Sequence, residues 1–296
     1  MAETTVSAVC IGSLSVNVVE EHSKVETDLS DEKAEGLVKF IAGKAWPAGL
    51  VLAEYFIWRL RNLPLNCGPK KTFKMLELGA GTGVTSLFVG KTLQTMQTTQ
   101  QAEIYVSDLD VAVPLIVKNI DANFTRSEST QQLQMHGIEL DWTKYEDTRS
   151  LLGRMHALAL SDMDSDEPVF DLIYASDVVY FPHLFDPLIQ TLVILCTHPE
   201  TIKNSTSKRR RKQPELLLTC RMRELSKEHP FYAKLGKYFH LVPLDNCEWD
   251  NGVFWEKYRG EYVMFRCVLR EVALESEESD DFETILQGMM DVDLFS

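Results

Sequence analysis

The order of apolar and polar residues along the chain predicts a mixture of strands and helices. Residues 7–20 alternate apolar with polar side chains, which predicts one or two strands, paired as a hairpin. Residues 46–61 carry apolar side chains at helical spacing, with Pro47 near the first turn, where proline is tolerated. The N-terminal part of the chain is therefore expected to supply a hairpin and a helix.

From residue 73 onwards, segments with strand character alternate with segments with helical character. The predicted strands are Phe73–Leu78, Ile104–Ser107, Met135–Leu140, Phe170–Ala175 and Glu215–Thr219. The predicted helices are Val84–Leu93, Val111–Asn123, Tyr145–His156, Leu184–Cys196 and Pro230–Phe239. This alternation predicts βαβ units, and therefore a parallel sheet that helices cover on both faces.

The alternation stops near the C-terminal end of the pattern. Leu241–Leu244 is short and extended, and Glu261–Arg270 reads as a long strand that no helix precedes. Residues 247–260 lie between these two strands and look hairpin-like, because they contain the turn-forming pair Asn251-Gly252. The simplest interpretation is an antiparallel pair that closes the parallel sheet.

Length and composition indicate a soluble globular protein. The 296 residues favour one large domain with extensions, or two small domains. Apolar residues make up 45% and charged residues 25% of the chain, and no 18-residue apolar run predicts a membrane span. The first ten residues lack the features of a secretory signal. The six cysteines include no CxxC pair, so we expect neither a metal site nor a disulfide framework.

The charge is acidic and unevenly distributed. The formal net charge is −14, and residues 271–296 carry nine acids and no base. Such a protein binds nucleic acid backbones poorly and suits cationic ligands or basic protein partners. The basic run Lys208–Lys212 is expected in a solvated loop, with a nuclear address as the alternative. The acidic tail is expected to be flexible, with docking on a basic partner through residues 282–289 as the alternative.

Residues 76–83, LELGAGTG, end a strand and open a helix. Gly79, Gly81 and Gly83 allow a tight turn and let a ligand approach the N–H groups of a helix N-terminus. The third glycine of a dinucleotide fingerprint is absent, and so is the GKS or GKT of a nucleoside triphosphate loop. Glu77 would repel a pyrophosphate. It suits an ammonium or a sulfonium ion instead, so the loop predicts a positively charged ligand.

Polar and aromatic residues follow the next two strands. Asp108 stands at the tip of the second strand, where an acid can accept hydrogen bonds from both ribose hydroxyls. Asp110 is the neighbouring candidate, with a helix N-cap before Val111 as an equal alternative. After the third strand, Asp141 or Trp142 would line an adenine pocket, unless Trp142 only closes the end of the core.

Together these segments resemble the class I, seven-β-strand S-adenosylmethionine methyltransferases. Within that class they resemble the family-16 group of methyltransferase-like protein-lysine methyltransferases. The matching segments are KAWPAGLVLAEYF (44–56), LELGAGTGVTS (76–86), VSDLD (106–110), ELDW (139–142) and ASDVVYFP (175–182). In order and spacing, the resemblance covers roughly residues 10–270.

The resemblance implies an α/β fold, with a doubly wound, Rossmann-like seven-stranded sheet and an antiparallel last strand. The β-hairpin and the helix would extend this fold at its N-terminal side. We accordingly expect an N-terminal strand, hairpin and linker extension at residues 1–45 and a methyltransferase domain at residues 46–270. Residues 271–296 would form the acidic, flexible tail.

The resemblance also implies S-adenosylmethionine as the cofactor, with the glycine loop at its centre. Gly79, Ala80 and Gly81 would contact the cofactor through their backbone, with Glu77 behind them. Trp46 would lie over the methionine part of the cofactor.

Three further residues would contact the remaining parts of the cofactor. The resemblance implies that Asp108 holds the ribose, that Trp142 lies near the adenine and that Ser176 borders the cofactor. The family more often has alanine where this chain has Ser176, and glycine where it has Thr143. At positions 143 and 176, this chain therefore departs from the family's sequence pattern.

Residues 170–182, FDLIYASDVVYFP, put a carboxylate and an aromatic hydroxyl at the end of a buried strand. In methyl transfer to lysine, Asp177 would aim the amine through a hydrogen bond and Tyr180 would wall the channel. A dry channel beside a positive charge lowers the pKa of the amine from its unperturbed value of about 10.4. The alternatives are a helix N-cap for Asp177 and a packed aromatic side chain for Tyr180.

We therefore expect a monomeric protein-lysine N-methyltransferase in the cytoplasm, and also in the nucleus if the basic run is an address. Its substrate would be a protein, such as a translation factor or a chaperone. A nucleic acid base is disfavoured, because Val178 and Val179 stand where amino-methylating enzymes of adenine have two prolines. A histidine side chain is a closer alternative, because aspartate orients an imidazole equally well. A cofactor-binding scaffold that acts through its acidic tail is the third.

Overall fold

A computed structural model describes residues 3–22, 41–63, 65, 72–96, 100–124, 132–159, 168–197, 212–244, 257–258 and 260–270. Its strands are β1 (Glu3–Ile11), β2 (Leu14–His22), β3 (Thr72–Leu78), β4 (Gln101–Asp108), β5 (Leu133–Glu139), β6 (Leu172–Ser176), β7 (Glu215–Arg221), β8 (Phe239–Pro243) and β9 (Tyr262–Leu269). Its α-helices are α1 (Pro47–Asn62), α2 (Val84–Thr95), α3 (Val113–Asn123), α4 (Tyr145–Ala159), α5 (Phe185–Cys196) and α6 (Leu225–Gly236). A short 3₁₀-helix covers Pro182–Leu184.

Seven of these strands form one sheet, in the order β5-β4-β3-β6-β7-β9-β8. β3 runs parallel to β4 and to β6, and β4 runs parallel to β5. β9, the last strand among the described residues, runs antiparallel to both of its neighbours, β7 and β8. β1 and β2 pair with each other as a separate antiparallel hairpin. The predicted doubly wound, seven-stranded sheet with an antiparallel last strand is confirmed, and so is the hairpin.

Helix α6 begins earlier than the sequence pattern indicated. The pattern placed Pro230 at the start of a helix, but Pro230 lies inside α6, which begins at Leu225. The first turn closes when the N–H groups of Lys227 and Glu228 donate to the carbonyl oxygen of Glu224, at 2.9 and 3.2 Å. Because these bonds form before the proline, the missing N–H of proline does not prevent the turn.

Three of the predicted segments fall wholly or partly outside the described residues. They are residues 245–256 and 259 around the hairpin-like segment, residues 208–211 of the basic run, and the tail at residues 271–296. By its backbone contacts the chain divides into two compact units. The first comprises residues 1–141 and 170–176, and the second comprises residues 142–169 and 177–296. The boundaries at residues 45 and 270 stay predictions.

In the first unit, the hairpin contributes to the hydrophobic core. Leu14, Val16 and Val18 project from one face of β2 and are buried. They pack with buried side chains of α1 and α2, namely Ala53, Ile57, Val84, Leu87 and Phe88. The alternation of side chains along a strand explains why every second residue of this segment is apolar. The hairpin is thus anchored by burial of its inner face, and the outer strand β1 is largely exposed.

Two asparagines of α3 bind the backbone of β2. Asn119 accepts from the N–H of Val19 (2.6 Å) and donates to its carbonyl oxygen (3.1 Å). Asn123 does the same with Asn17, at 2.8 and 2.7 Å. Four helical residues rise about 6 Å and two strand residues about 6.7 Å, so the two spacings match. Asn119 also donates to the carbonyl oxygen of Thr82 (3.0 Å), which ties the hairpin to the glycine loop.

The second unit has a core of aromatic and thiol side chains. Phe231 of α6 is fully buried, and its ring centre lies 5.4 Å from that of Phe185 in α5. Cys196 and Cys220 are buried and form no disulfide, and burial raises the pKa of each thiol to about 12. At neutral pH both side chains are therefore uncharged, and they behave as small apolar residues.

Replacing Asn119 by alanine should destabilise the fold by about 3 kcal/mol or more. An N–H group and two carbonyl groups would lose a partner inside the protein, and each unsatisfied group costs about 1–3 kcal/mol. Urea unfolding followed by circular dichroism measures the loss. The matched control is Asn62→Ala, because Asn62 is exposed and donates to Trp58 within its own helix. That change should stay within about 0.5 kcal/mol, and equal losses for the two variants would contradict the assigned role.

Candidate functional site

The glycine loop is a tight turn between β3 and α2. Gly79, Gly81 and Gly83 have φ angles of 60°, 56° and 75°, which favour glycine. The N–H of Gly83 donates to the carbonyl oxygen of Ala80 (2.8 Å), and the N–H of Ala80 donates to Ser107 at the end of β4 (3.0 Å). The loop is therefore fastened to the second strand of the sheet. Because Gly83 occupies the N-cap position of α2, the start of that helix carries no capping side chain from its own N-cap residue.

Asp108 binds the glycine loop directly. Its Oδ2 accepts from the N–H of Gly81 (2.7 Å), and its Oδ1 accepts from the N–H of Leu109 (2.8 Å). Burial raises the pKa of this carboxyl group, and the two N–H donors lower it in part. Each carboxylate oxygen can accept more than one hydrogen bond, so both keep capacity for a ligand hydroxyl. A Cβ atom on Gly81 would lie 3.2 Å from the carbonyl oxygen of Ala42, so the backbone packs closely there.

Asp110 does not cap the following helix. It is exposed, and its Oδ1 accepts from the N–H of Val111 (2.7 Å). α3 begins at Val113 rather than Val111, because a turn closes first when Ala112 donates to Leu109 (2.9 Å). The N-cap alternative for Asp110 is therefore wrong, and its role towards a ribose stays a prediction.

Glu77 is buried beneath the glycine loop, with 1% of its surface exposed. Its Oε2 accepts from the N–H of Ser86 (3.2 Å) and from the Ser86 hydroxyl. Ser86 lies in the first turn of α2, where N–H groups lack a partner within the helix. The hydroxyl of Ser86 also contacts that of Tyr174 in β6, at 2.7 Å. Burial raises the pKa of Glu77 to about 7, against the opposing effect of these hydrogen bonds.

This environment gives Glu77 a structural role that the sequence did not indicate. The expectation was an acid that suits a cationic ligand. In the structure the carboxyl group supplies the acceptor that Gly83 cannot offer to the start of α2. The main-chain oxygen of Glu77 is engaged as well, since it accepts from the hydroxyl of Ser107 (2.6 Å). Glu77 thus connects β3 with α2, β4 and β6.

Trp46 and Ser176 lie at the ends of two elements, and each is close to Gly49. Trp46 is the N-cap residue of α1, is half-buried, and donates from Nε1 to the carbonyl oxygen of Ile41 (2.8 Å). Ser176 ends β6, and its Oγ would lie 3.3 Å from a Cβ atom on Gly49. Thr85 of α2 donates to the carbonyl oxygen of Gly49 (3.1 Å). The starts of α1 and α2 and the end of β6 therefore meet at a position where only hydrogen fits without displacement.

Asp177 is held in the second unit by an ion pair that the sequence analysis missed. Both of its carboxylate oxygens accept from Arg223, with Nη1–Oδ1 at 2.7 Å and Nη2–Oδ2 at 2.5 Å. The N–H of Asp177 donates to Thr219 of β7 (2.8 Å). Among the described residues, Asp177 is the one non-glycine residue with a positive φ, at 59°. Such strain persists where the surroundings fix the residue, and it is common at functional sites.

Arg223 follows β7 by two residues. The carboxyl ends of parallel strands share one edge of a sheet, so an arginine just after one strand was a usable signal for a partner of Asp177. The N-cap alternative for Asp177 is wrong, because the N-cap residue of the 3₁₀-helix is Phe181 and no side chain caps it.

The two aromatic candidates of the second unit differ in exposure. Trp142 is buried, which is compatible with the packed alternative considered for it. Tyr180 is 40% exposed, and its ring lies edge-on to that of Phe181 at 4.7 Å. Tyr180 is therefore not a buried core residue, and its role as the wall of a channel stays a prediction.

Two classes of site are not found in the described part of the chain. Within it, no group of three or more histidine, cysteine, aspartate or glutamate side chains could hold a metal ion. Within the same residues, no helix has both the length and the apolar character needed to cross a membrane.

Comparison with known proteins gives a consistent set of relatives. The profile of a family described as "Lysine methyltransferase" matches residues 26–222. The chain is 32% identical over 177 residues to Protein-lysine N-methyltransferase EFM6 of Saccharomyces cerevisiae, with 57% of this chain and 65% of the relative covered. It is 28% identical over 175 residues to EFM2 of the same yeast, with 56% and 33% covered. The chain thus spans less than two thirds of the length of both proteins.

A mouse relative and a solved structure extend the comparison. The chain is 26% identical over 206 residues to EEF1A lysine methyltransferase 3 of Mus musculus, with 68% of this chain and 65% of the relative covered. Among solved structures, the DszA carbon methyltransferase has a TM-score of 0.43 at 14% identity, with 83% of this chain and 59% of that chain covered. The fold assignment rests on the strand order described above.

Glutamine at position 77 should change how stability depends on pH. The pKa of Glu77 in the folded protein, about 7, exceeds its ordinary value of 4.5. The folded state therefore holds this proton more tightly than the unfolded state does. Its contribution to stability is fully present below about pH 4.5 and is lost as the pH rises through about 7.

The measurement is the free energy of unfolding in denaturant at several values between about pH 5 and 8. Wild type should lose stability relative to Glu77→Gln as the pH rises. Glu146→Gln is the control, because the side chain of Glu146 is 86% exposed. A difference between wild type and Glu77→Gln that does not vary with pH would refute the assignment.

Proposed function

Since the chain belongs to the lysine methyltransferase family, we propose that it transfers a methyl group from S-adenosylmethionine to a lysine amine of a protein substrate. The observation that carries the proposal is the bond between Asp108 and the N–H of Gly81, at 2.7 Å. This bond joins the acid at the end of β4 to the glycine loop that follows β3. The relatives are named as lysine methyltransferases, which supports the same reaction.

The residues of the first unit fit an adenosine-containing cofactor. Asp108 is partly exposed, and its two oxygens retain capacity for the two hydroxyls of a ribose. The loop offers close approach because Gly79, Gly81 and Gly83 have no side chains. The start of α2 adds the positive end of a helix dipole, which suits the carboxylate of a bound amino acid moiety. Trp46 and Ser176 are further proposed contacts in this unit, and the role of Trp142, which belongs to the second unit, stays a prediction.

The cofactor supplies an activated methyl group on a positively charged sulfur. The protein must place a neutral amine in line with the carbon–sulfur bond, with the amine nitrogen about 3 Å from the methyl carbon. Asp177, which follows Ser176 in the chain, is the proposed hydrogen-bond acceptor for the amine, and Tyr180 is the proposed wall of the lysine channel. An ordinary lysine has a pKa of about 10.4 and is protonated at neutral pH, so it must lose a proton before it attacks.

The acidic charge of the chain supports a basic protein surface as the partner. One relative is named EEF1A lysine methyltransferase 3, so EEF1A is the first substrate to test. We propose that the protein acts as a monomer in the cytoplasm, and that the basic run at residues 208–212 gives it access to the nucleus.

Asparagine at position 108 should weaken cofactor binding by about 10–100-fold. The substitution removes the charge and one of the two acceptors, and a hydrogen bond to a charged group contributes about 1.5–3 kcal/mol. Titration calorimetry with S-adenosylhomocysteine measures the dissociation constant. Asp121→Asn is the matched control, because Asp121 is an exposed acid on α3. Unchanged affinity in Asp108→Asn would remove the main support for this cofactor.

Labelling with tritiated S-adenosylmethionine tests the reaction itself. Purified protein is incubated with recombinant EEF1A and, separately, with a methylation-deficient cell lysate, beside Asp177→Ala. A labelled band that disappears with Asp177→Ala and yields methyl-lysine on hydrolysis is the expected result. If hydrolysis yields methyl-histidine instead, the substrate is a histidine side chain. If the protein binds the cofactor but labels no substrate, a role as a cofactor-binding scaffold is favoured. Failure to bind the cofactor would overturn the proposal.

A further inference from the structure

The carboxylate assigned to the target amine already holds a cation of the protein itself. Asp177 accepts from both terminal nitrogens of Arg223, and its side chain is 4% exposed. Arg223 covers it, and the arginine side chain is 38% exposed. The guanidinium therefore makes the contact that the proposed function gives to the substrate lysine. Arg223 also lies one residue beyond the family match, which ends at residue 222.

A second carboxylate stands next to this pair with unused capacity. Glu228 of α6 is buried, with 7% of its surface exposed, and its Oε1 accepts from the backbone N–H of Arg223 (3.2 Å). Its Oε2 is buried and has no hydrogen-bond partner among the described residues. A buried acceptor without a partner costs free energy, so a structure that keeps one calls for an explanation. If the guanidinium group of Arg223 left Asp177, it could donate a hydrogen bond to Oε2 of Glu228.

We propose that Arg223 is a resident substitute for the substrate lysine. In the free protein its guanidinium group is bound to the carboxylate of Asp177. When a substrate lysine enters, the guanidinium group moves to Oε2 of Glu228. This inference rests on the proposed function. The exchange keeps one cation on each carboxylate in the loaded state. Arg223 is thus a specificity-determining residue, because only a side chain that can replace a cation on Asp177 gains the site.

The same geometry makes a specific prediction for a lysine at this position. If the guanidinium stands where the target amine must stand, Arg223→Lys should be methylated by its own active site. The amine would lose its proton to solvent, and its nitrogen would then attack the methyl carbon. The carbon–sulfur bond would break with its electron pair on sulfur, so that S-adenosylhomocysteine and a methylated amine are formed.

The experiment incubates the full chain of Arg223→Lys with S-adenosylmethionine and maps added methyl groups by tandem mass spectrometry. A mass gain of one or more methyl groups at position 223 is expected. The matched control is Arg221→Lys, because Arg221 also lies at the end of β7 but pairs with Glu261 (2.6 Å). It should gain none. Adding Asp177→Asn to Arg223→Lys should abolish the label, because the acceptor charge is lost.

A second variant, Arg223→Gln, keeps the test informative if the lysine is too short to react. The assay uses the protein substrate that the wild-type enzyme labels. Removal of the Arg223 guanidinium should lower the half-saturating concentration of this substrate by about tenfold, with little change in the rate at saturation. A fixed support for Asp177 predicts the reverse: a lower rate at saturation, an unchanged half-saturation and no label at position 223. That result would overturn the inference.

Two controls separate this inference from the proposed function. Calorimetry with S-adenosylhomocysteine and the melting temperature show whether each variant is folded and binds the cofactor. If wild type labels a lysine substrate but the Arg223 variants behave as for a fixed support, only the inference fails. If the wild-type protein labels nothing and binds no cofactor, the proposed function is wrong and the inference falls with it.

Discussion

The buried carboxyl group of Glu77 is the interaction on which the arrangement around the glycine loop depends. A loop of glycines cannot supply a capping side chain, so the helix behind it needs an acceptor from elsewhere. Glu77 supplies that acceptor from inside β3 and reaches Tyr174 of β6 through Ser86. Because three elements share one group, the glycine loop is held in place although its glycines carry no side chains. The cost is a carboxyl group that burial makes hard to ionise.

Acceptors on the two units are prepared in different ways. In the first unit, Asp108 is oriented by neutral N–H groups, and its charge remains available to a ligand. In the second, Asp177 is paired with a full positive charge, and a ligand must compete for it. The first arrangement suits a cofactor that binds through hydroxyl groups. The second suits a substrate that is itself a cation and that must be distinguished from other side chains.

The sequence predicted the central strands of the sheet well, because β3, β6 and β7 are largely buried and are rich in apolar residues. It also indicated the position of Asp108 at the end of β4, where the structure shows it bound to Gly81, whereas its role towards a ribose stays a prediction. It did not predict Arg223, since the pairing joins residues 177 and 223 across two elements. Nor did it predict Asn119, whose partners lie 100 and 37 residues away, because a polar residue on a helix gives no signal of what it faces. Periodicity reports which face is buried, but not which long-range hydrogen bonds form there.

The side-chain bonds between α3 and β2 have a consequence for how this protein can be engineered. Asn119 holds Val19 of the hairpin and Thr82 of the glycine loop with one amide group. A shortened chain that starts after the hairpin would therefore release the loop, and it would also expose the core residues Ala53 and Ile57 that Val16 and Val18 cover. Affinity tags and reporter fusions are better joined through a spacer ahead of β1, the exposed strand, than in place of the hairpin. The N-terminal segment thus supports the glycine loop, although it lies about 60 residues before that loop in the sequence.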